Sequence, residues 1–261
     1  MRFHQNNLLT LSATPSKPKI DYTKFVCNFN GDTQYIFRTS YNDAYCGVSW
    51  IEDVLLDGQP YQKDYATLYS TADQIVDTGG GTNPIHTIEI KFKEGFEFNN
   101  SDLTADGVPT LKNYYLTSIE FQDNITQVYG YYLFAYCYQL EEINWNNVKL
   151  KYSLGNIFYQ CTNIKEIDFS TCIDRNNDSG LSPMGLISYG IIPSNTTQLT
   201  KIVFPFGSEI SYLQYIPWAG DTSAQYPNSL AGTFYYNEEG NYSRLLQGLS
   251  PTWTAVPMKF D

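Results

Sequence analysis

The sequence is poor in histidine, in basic residues and in long apolar runs. Only two histidines, His4 and His86, occur in 261 residues. Lysine and arginine number 16 against 27 acidic residues, which gives a formal net charge of −11. This balance opposes binding to nucleic-acid backbones and to anionic membranes. No apolar run approaches the roughly 20 residues that cross a bilayer, so we predict no nucleic-acid partner and no membrane insertion.

Common catalytic motifs are missing as well. The sequence contains no HExxH, GxSxG or GK[ST] segment, the patterns of zinc proteases, serine hydrolases and phosphate-binding loops. His86 is a candidate general base, but the favoured interpretation is a packed or surface residue of a strand. We therefore expect a protein that is not an enzyme and that needs no cofactor.

Cysteine is present without a metal or redox pattern. The five cysteines are an odd number and form no CxxC pair, which disfavours a thiolate zinc site. Cys137 and Cys161 occupy one column of a repeat, so they are either bridged or two identical buried thiols; free thiols are favoured. Residues 1–20 lack the apolar core of a secretory signal, so either the signal was removed or the chain reaches its site by another route.

A repeat dominates the middle of the chain. Leu116, Leu140 and Ile164 follow one another at intervals of 24 residues, and Phe134 and Phe158 keep the same interval. A period of this length is typical of leucine-rich repeats. One coil cannot bury its apolar side alone, whereas stacked coils bury a continuous core. The repeat therefore predicts a short solenoid.

The period also predicts which segments pair. Residues 118–121, 142–145 and 166–169 should form adjacent parallel strands in one sheet. Side chains alternate between the two faces of a strand, so the outward ones should form two mostly polar rows. The first row is Ser118, Glu142, Glu166 and Lys201, and the second is Glu120, Asn144, Asp168 and Val203. Paired carboxylates of these rows also suit glycoside hydrolysis, but ordinary polar surface is favoured.

The run ITQVYGYYLFAYCYQLEEI, residues 125–143, resembles the BspA-like leucine-rich repeat surface proteins of the phage or Bacteroidetes type. Their units read approximately I-x-x-I-G-x-x-A-F-x-x-C-x-x-L-x-x-I. The matching residues are Phe134, Cys137, Leu140 and Ile143 in one unit and Phe158, Cys161, Ile164 and Ile167 in the next. Leu133 and Ile157 stand where the family has alanine. The resemblance covers about residues 110–207 and implies a repeat solenoid.

The flanks complete a mainly β fold. Residues 20–107 contain short alternating segments between turns (FVCNF, QYIFRT, VSWIEDVLLDG and IHTIEIKFKEG), which indicates a small β-sandwich. They also resemble the β-domain that precedes such repeats, and the tail resembles the family's closing segment. The predicted order is an extended N-terminal arm at 1–19, the β-sandwich at 20–107, the solenoid at 108–215 and a C-terminal cap at 216–261.

The third repeat carries an insertion. Ile164 and Leu199 are 35 residues apart, 11 more than the period. Loops on a rigid scaffold often carry binding surfaces, so residues 174–188 are predicted to contact another protein; packing onto the repeat or the cap is the alternative. The candidate binding residues are Asp174, Leu181, Met184, Leu186 and Ile187. Asp174, Asn176 and Asp178 are candidate calcium ligands, although the displaced glycine of this segment favours a polar turn.

The resemblance also implies a function. It indicates a binding or adhesion protein displayed on a virion surface or outside a cell, and the favoured hypothesis is a tail-fibre or head-fibre component of a phage that contacts its bacterial host. The implied partners are other virion proteins or a second copy, and a host surface protein or glycan. A structural virion assembly protein and a bacterial cell-surface adhesin are the alternatives, and a carbohydrate-active enzyme is the least favoured.

Overall fold

A computed structural model gives the fold of the chain. It describes residues 17–29, 35–38, 51–61, 73–75, 83–96, 115–125, 127–129, 133–134, 136–151, 157–158, 160–172, 198–205, 231–247, 249 and 251–260. These residues are mainly β, and the one helix among them has five residues. No helix in the described part of the chain is long and apolar enough to span a membrane.

The N-terminal part is built from short strands. They are β1 (Thr23–Asn28), β2 (Tyr35–Arg38), β3 (Ile51–Leu56), β4 (Gln59–Pro60), β5 (Asp73–Ile75) and β6 (Ile85–Phe92). Three of the four segments predicted as strands contain β2, β3 and β6, and the fourth, FVCNF, overlaps β1, which begins two residues earlier. Burial alternates along β1 and β6, as expected for strands with one face on the core. Strands β2 and β5 pair only with each other among the described residues, and the predicted sandwich stays a prediction.

The repeats and the tail supply the remaining elements. They are β7 (Leu116–Glu120), β8 (Gln127–Tyr129), β9 (Glu142–Asn144), β10 (Lys149–Lys151), β11 (Glu166–Asp168), β12 (Lys201–Phe204), β13 (Gly232–Asn237), α1 (Ser243–Gln247) and β14 (Trp253–Met258). Strands β8 and β10 form a separate parallel pair. Strands β11 to β14 form a parallel sheet, so the tail adds two strands to the repeat sheet. Its role as a cap stays a prediction.

The N-terminal part and the first repeats share one sheet. Its strand order is β4-β3-β6-β1-β7-β9. Strand β1 pairs antiparallel with β6 on one side and with β7 on the other. The first repeat strand is therefore hydrogen-bonded along its outer edge by an N-terminal strand, which protects that edge from pairing with other chains.

The predicted register is confirmed in two separate sheets, which meet between β9 and β11. Strand β7 pairs parallel with β9, Ser118 opposite Glu142, and β11 pairs parallel with β12, Glu166 opposite Lys201. The prediction of one continuous sheet is wrong, because β11 belongs to a second sheet and no ladder joins it to its neighbour β9. The predicted rows set Glu142 beside Glu166. Like charges directly opposite each other destabilise strand pairing, and these strands have only three residues each.

A column of aromatic side chains runs through the repeat core. Trp145 stacks on Phe121 at 5.8 Å and on Phe169 at 5.4 Å between ring centroids. The column continues from Phe169 to Phe204 at 5.5 Å and from Phe204 to Phe234 at 5.7 Å. These side chains are fully buried. From Phe121 to Phe204, the inward residue at or directly after the end of each strand thus contacts its counterpart in the next repeat, and Phe204 then contacts Phe234, whose register partner is Ile202.

The same turn occurs in two successive repeats and positions a second buried column, which contains Cys137 and Cys161. The Cys137 N–H donates to the Phe134 carbonyl, and the Cys161 N–H donates to the Phe158 carbonyl, both at 3.0 Å. Tyr136 and Gln160, directly before these cysteines, have φ values of 66° and 63°. The described cysteines, which are Cys27, Cys137, Cys161 and Cys172, are buried free thiols. Cys161 Sγ lies 3.1 Å from the Phe134 carbonyl oxygen, which accepts its hydrogen bond.

The last residues of the predicted arm contact the repeats. Lys17 Nζ donates to Asn146 Oδ1 at 2.6 Å, and the Ile20 N–H donates to Asp123 Oδ2 at 2.8 Å. Desolvation raises the pKa of the Asp123 carboxyl, but the hydrogen bonds from Asn146 and Ile20 and the ammonium groups of Lys17 and Lys19 outweigh it, so this pKa lies below its usual value.

Proline occurs in two of the edge strands, β4 and β14. Strand β4 has two residues and includes Pro60. At β14, the carbonyls of Met258 and of Thr252, which directly precedes the strand, accept hydrogen bonds from the N–H groups of Glu238, directly after β13, and of Gly232, its first residue. Alternate residues of a parallel strand face the same neighbour, so Pro257 faces the other, open edge. Because proline has no N–H, that edge lacks a donor at this position.

Candidate functional site

The outer face of the repeat sheet is the candidate functional site. Its first row continues from Lys201 to Thr233 and Thr254, and its second row from Val203 to Tyr235 and Val256. The rows are polar around β9 and β11 and become less charged toward β14. Val203 is only 4% exposed although its register places it in the outward row. The charged part of the face therefore centres on β9, β11 and Lys201.

Carboxylates and ammonium groups form a network there. Lys201 Nζ lies 2.9 Å from Glu166 Oε2 and 3.2 Å from Asp168 Oδ2. The hydrogen bond to Glu166 raises the pKa of Lys201, desolvation opposes this, and the contact with Asp168 adds to it. Lys165 Nζ lies 2.6 Å from Glu141 Oε2. Such exposed pairs contribute about 0–1 kcal/mol each, so they orient the side chains more than they stabilise the fold.

A cleft opens where the two sheets meet. It has a volume of about 470 Å³ and lies between β9 and β11. Its lining is Glu141, Glu142, Ile143, Asn144, Trp145, Phe158, Lys165, Glu166, Ile167, Asp168, Ser170 and Thr171. We call this the β9–β11 cleft. It combines four carboxylates and one ammonium group, so it offers mainly hydrogen-bond acceptors. Its two aromatic residues, Trp145 and Phe158, are each only 1% exposed.

The residues predicted for binding lie elsewhere in the chain. Asp174, Leu181, Met184, Leu186 and Ile187, with the calcium candidates Asn176 and Asp178, fall outside the described residues. The described residues contain no cluster of three or more metal-ligating side chains.

His86 is placed in the N-terminal part rather than at the cleft. Its ring is 8% exposed, and Nδ1 lies 2.7 Å from Asp57 Oδ2. Asp57 sits in the tight β3–β4 turn with φ 52°, and its other carboxylate oxygen accepts a hydrogen bond from the Thr87 N–H at 2.8 Å. The His86–Asp57 pair thus ties this turn to β6, and the packed-residue interpretation accounts for the contacts.

Sequence reasoning missed the β9–β11 cleft. The 24-residue period describes the inward positions, which stay in register across the break. The available signal was the outward row itself, because it sets two glutamates side by side.

The comparison with protein families agrees with this architecture. Residues 107–214 match the family model described as "BspA type Leucine rich repeat region (6 copies)". This chain therefore contains a BspA-type leucine-rich repeat region, and the prediction from residues 125–143 is confirmed. No curated protein and no solved structure matches the chain. Regions of this type serve protein interaction or adhesion, commonly on surfaces or outside cells, and they are typically non-enzymatic.

Proposed function

We propose that this protein is a non-enzymatic adhesion protein of a phage virion, a component of a tail or head fibre that contacts the bacterial host surface. The observation that carries the proposal is the outer face of the repeat sheet around β9, β11 and Lys201. It presents regularly spaced polar side chains on a backbone held by paired strands. Such a face recognises a macromolecular surface by complementary charge and shape.

The way the repeats are built explains why their outer face suits recognition of a partner. Each coil directs its large apolar residues inward, where Trp145 and Phe169 are 1% and 0% exposed. The outward positions are thus free to vary without loss of the core, and they carry Glu142, Asn144, Glu166 and Asp168 on neighbouring strands. A surface that is decoupled from folding in this manner suits recognition better than acid–base chemistry, which needs groups with shifted pKa values in a closed site.

The test is direct binding of the fluorescently labelled full chain to intact cells of a panel of bacterial strains. We expect saturable binding to a subset of strains that unlabelled chain competes away. Absence of saturable binding to every strain, combined with co-purification with capsid or tail proteins, contradicts host adhesion and supports the assembly alternative. Neighbouring genes for capsid or tail proteins support either virion function, whereas a signal sequence encoded upstream in frame supports a bacterial cell-surface adhesin.

The insertion is proposed as a second contact region. Its candidate residues Asp174, Leu181, Met184, Leu186 and Ile187 would meet a second copy, a virion neighbour or a host receptor. Deletion of residues 174–184 removes 11 residues and restores the 24-residue period. We expect the shortened chain to fold and to lose assembly or cell binding. If it keeps both, the insertion is only a tolerated surface loop.

The same insertion holds the proposed calcium ligands Asp174, Asn176 and Asp178. Calcium should raise the melting temperature of the parent chain and leave that of the shortened chain unchanged, because ligand binding to the folded state alone stabilises it. An equal response of both chains places the calcium effect elsewhere.

A further inference from the structure

The β9–β11 cleft has walls of unpaired backbone. The Phe121 N–H donates to the Asn144 carbonyl, so Asn144 faces β7 and its neighbour Ile143 faces β11. The Phe169 N–H donates to the Val203 carbonyl, so Glu166 and Asp168 direct their backbone groups toward β9. No ladder joins these two edges. Backbone carbonyls that lack a strand partner need another hydrogen-bond donor, and here they line an open cleft.

The rim of the cleft is acidic. Glu141, Glu142, Glu166 and Asp168 line it, and the ammonium groups of Lys165 and Lys201 pair with all of these carboxylates except Glu142. Glu142 is exposed and has no hydrogen-bonded or ion-paired partner among the described residues. The chain as a whole carries a net charge of −11, which adds a long-range negative potential. An incoming group with positive charge is therefore attracted, and a carboxylate or phosphate is repelled.

The cleft also offers apolar surface to the stem of a long cationic side chain. Ile143 in its lining is partly exposed, whereas Trp145 and Phe158 are each 1% exposed. Lysine and arginine bury aliphatic stems on apolar surface while the charged group stays at a polar rim. The fold already shows how the rim holds such a group, because Lys201 places its ammonium between Glu166 and Asp168 at 2.9 and 3.2 Å.

These observations, together with the proposed function on which this inference rests, select one class of partner. We propose that the β9–β11 cleft receives arginine or lysine side chains from a basic segment of a partner protein. The Glu142 carboxylate and the strand-edge carbonyls accept the hydrogen bonds of the cation, and Ile143 contacts its aliphatic stem. Glu142 is the specificity-determining residue, because its carboxylate has no competing partner among the described side chains.

The test uses the full chain and two fluorescein-labelled peptides of equal length, one alternating arginine with serine and the other alternating glutamate with serine. Fluorescence anisotropy should show saturable binding of the arginine peptide alone, weakened as salt shortens the range of the interaction. Glu142→Lys should weaken this binding by about tenfold or more. Glu94→Lys introduces the same charge change at an exposed turn outside the cleft. Its dissociation constant for the arginine peptide should stay within about twofold of that of the parent chain.

Two outcomes overturn the inference. Equal losses in the Glu142→Lys and Glu94→Lys chains show that only net charge attracts the peptide. Spermine that binds as tightly as the arginine peptide and displaces it shows a site for small cations rather than for a protein. If Glu142→Lys disturbs the circular dichroism spectrum, Glu142→Gln is measured instead, with the same direction expected.

The experiments distinguish a failure of the host-adhesion proposal from a failure of the cleft inference. Should the Glu142→Lys chain bind bacterial cells as the parent does while the arginine peptide finds no site, host adhesion stands and the cleft inference falls. Should the peptide bind in the cleft while no bacterial strain binds the parent chain, the cleft inference stands and host adhesion falls.

Discussion

At the scale of single residues, Gly232 is the position where the fold leaves no space for a side chain. A Cβ atom there would lie 2.5 Å from the Thr200 carbonyl oxygen and 2.8 Å from Cη2 of Trp253. Both neighbours are held, because Thr200 accepts a hydrogen bond from the Thr233 N–H at 2.9 Å and Trp253 is 5% exposed. We expect Gly232→Ala to cost about 1–3 kcal/mol, the usual cost of overpacking.

Urea unfolding followed by tryptophan fluorescence measures this cost. Ala231→Ser, at the exposed preceding position, is the control and should change the free energy of unfolding by less than about 0.5 kcal/mol. A Gly232→Ala chain as stable as the parent would contradict the close approach of the Thr200 carbonyl and the Trp253 ring to this glycine.

The buried thiols predict a pH dependence. Desolvation, with a smaller contribution from Cys137, raises the pKa of both Cys27 and Cys161 above their ordinary value of 9.0. A raised pKa in the folded state gives stability that is present below the unfolded pKa and is lost as pH rises above it. We expect the free energy of unfolding to fall above about pH 9, by about 1.4 kcal/mol per pH unit for each such thiol. Desolvation of Tyr242, whose pKa is also raised, adds to the fall above pH 10.0.

Urea midpoints at several pH values between neutrality and strongly alkaline conditions test this expectation. The Cys161→Ala chain is the comparison, because it should show a shallower alkaline slope whatever its stability at neutral pH. Identical slopes for the two chains would mean that Cys161 ionises in the folded state as easily as in the unfolded state.

At the scale of the repeat, the aromatic column is a continuous stabilising element of the core. Trp145 contacts Phe121, Phe134 and Phe169 in three neighbouring parts of the core. Trp145→Ala should cost about 3–5 kcal/mol, as large-to-small changes of buried aromatic residues do. Trp145→Phe keeps an aromatic ring in the column and should cost clearly less. Thermal unfolding by circular dichroism measures both, and equal losses would show that a smaller ring at this position does not support the column.

The sequence predicted the inward side of the repeats well and the pairing of strands less well. Columns such as Phe134 and Phe158 specify register because only one stacking buries them all. The break between β9 and β11 lies where the predicted outward row would set Glu142 beside Glu166, and the apolar period does not report these outward positions. The pairing of β1 with β7 was also not predicted, because alternating segments do not encode which distant edge they meet.

At the scale of the whole molecule, the N-terminal strands and the first repeats should unfold together. Phe25 is fully buried on β1, and β1 is hydrogen-bonded to both β6 and β7. Phe25→Ala should therefore increase hydrogen exchange in the repeat segment 136–148 as well as in 85–92, by opening a shared unit. Exchange–mass spectrometry reads both segments. Faster exchange confined to 85–92 would show that the repeats are an independent folding unit.

The two prolines at the sheet edges affect how copies of this chain behave when crowded. Strand edges with free donors and acceptors are templates for end-to-end polymers. Two of the sheet edges oppose such pairing, because β4 has only two residues and includes Pro60 and because the outer edge of β14 lacks the donor of residue 257. Crowded copies are thereby kept from fusing their sheets through these two edges. If copies are displayed side by side, as the proposed function requires, each keeps its own outer face and weak individual contacts add up by avidity.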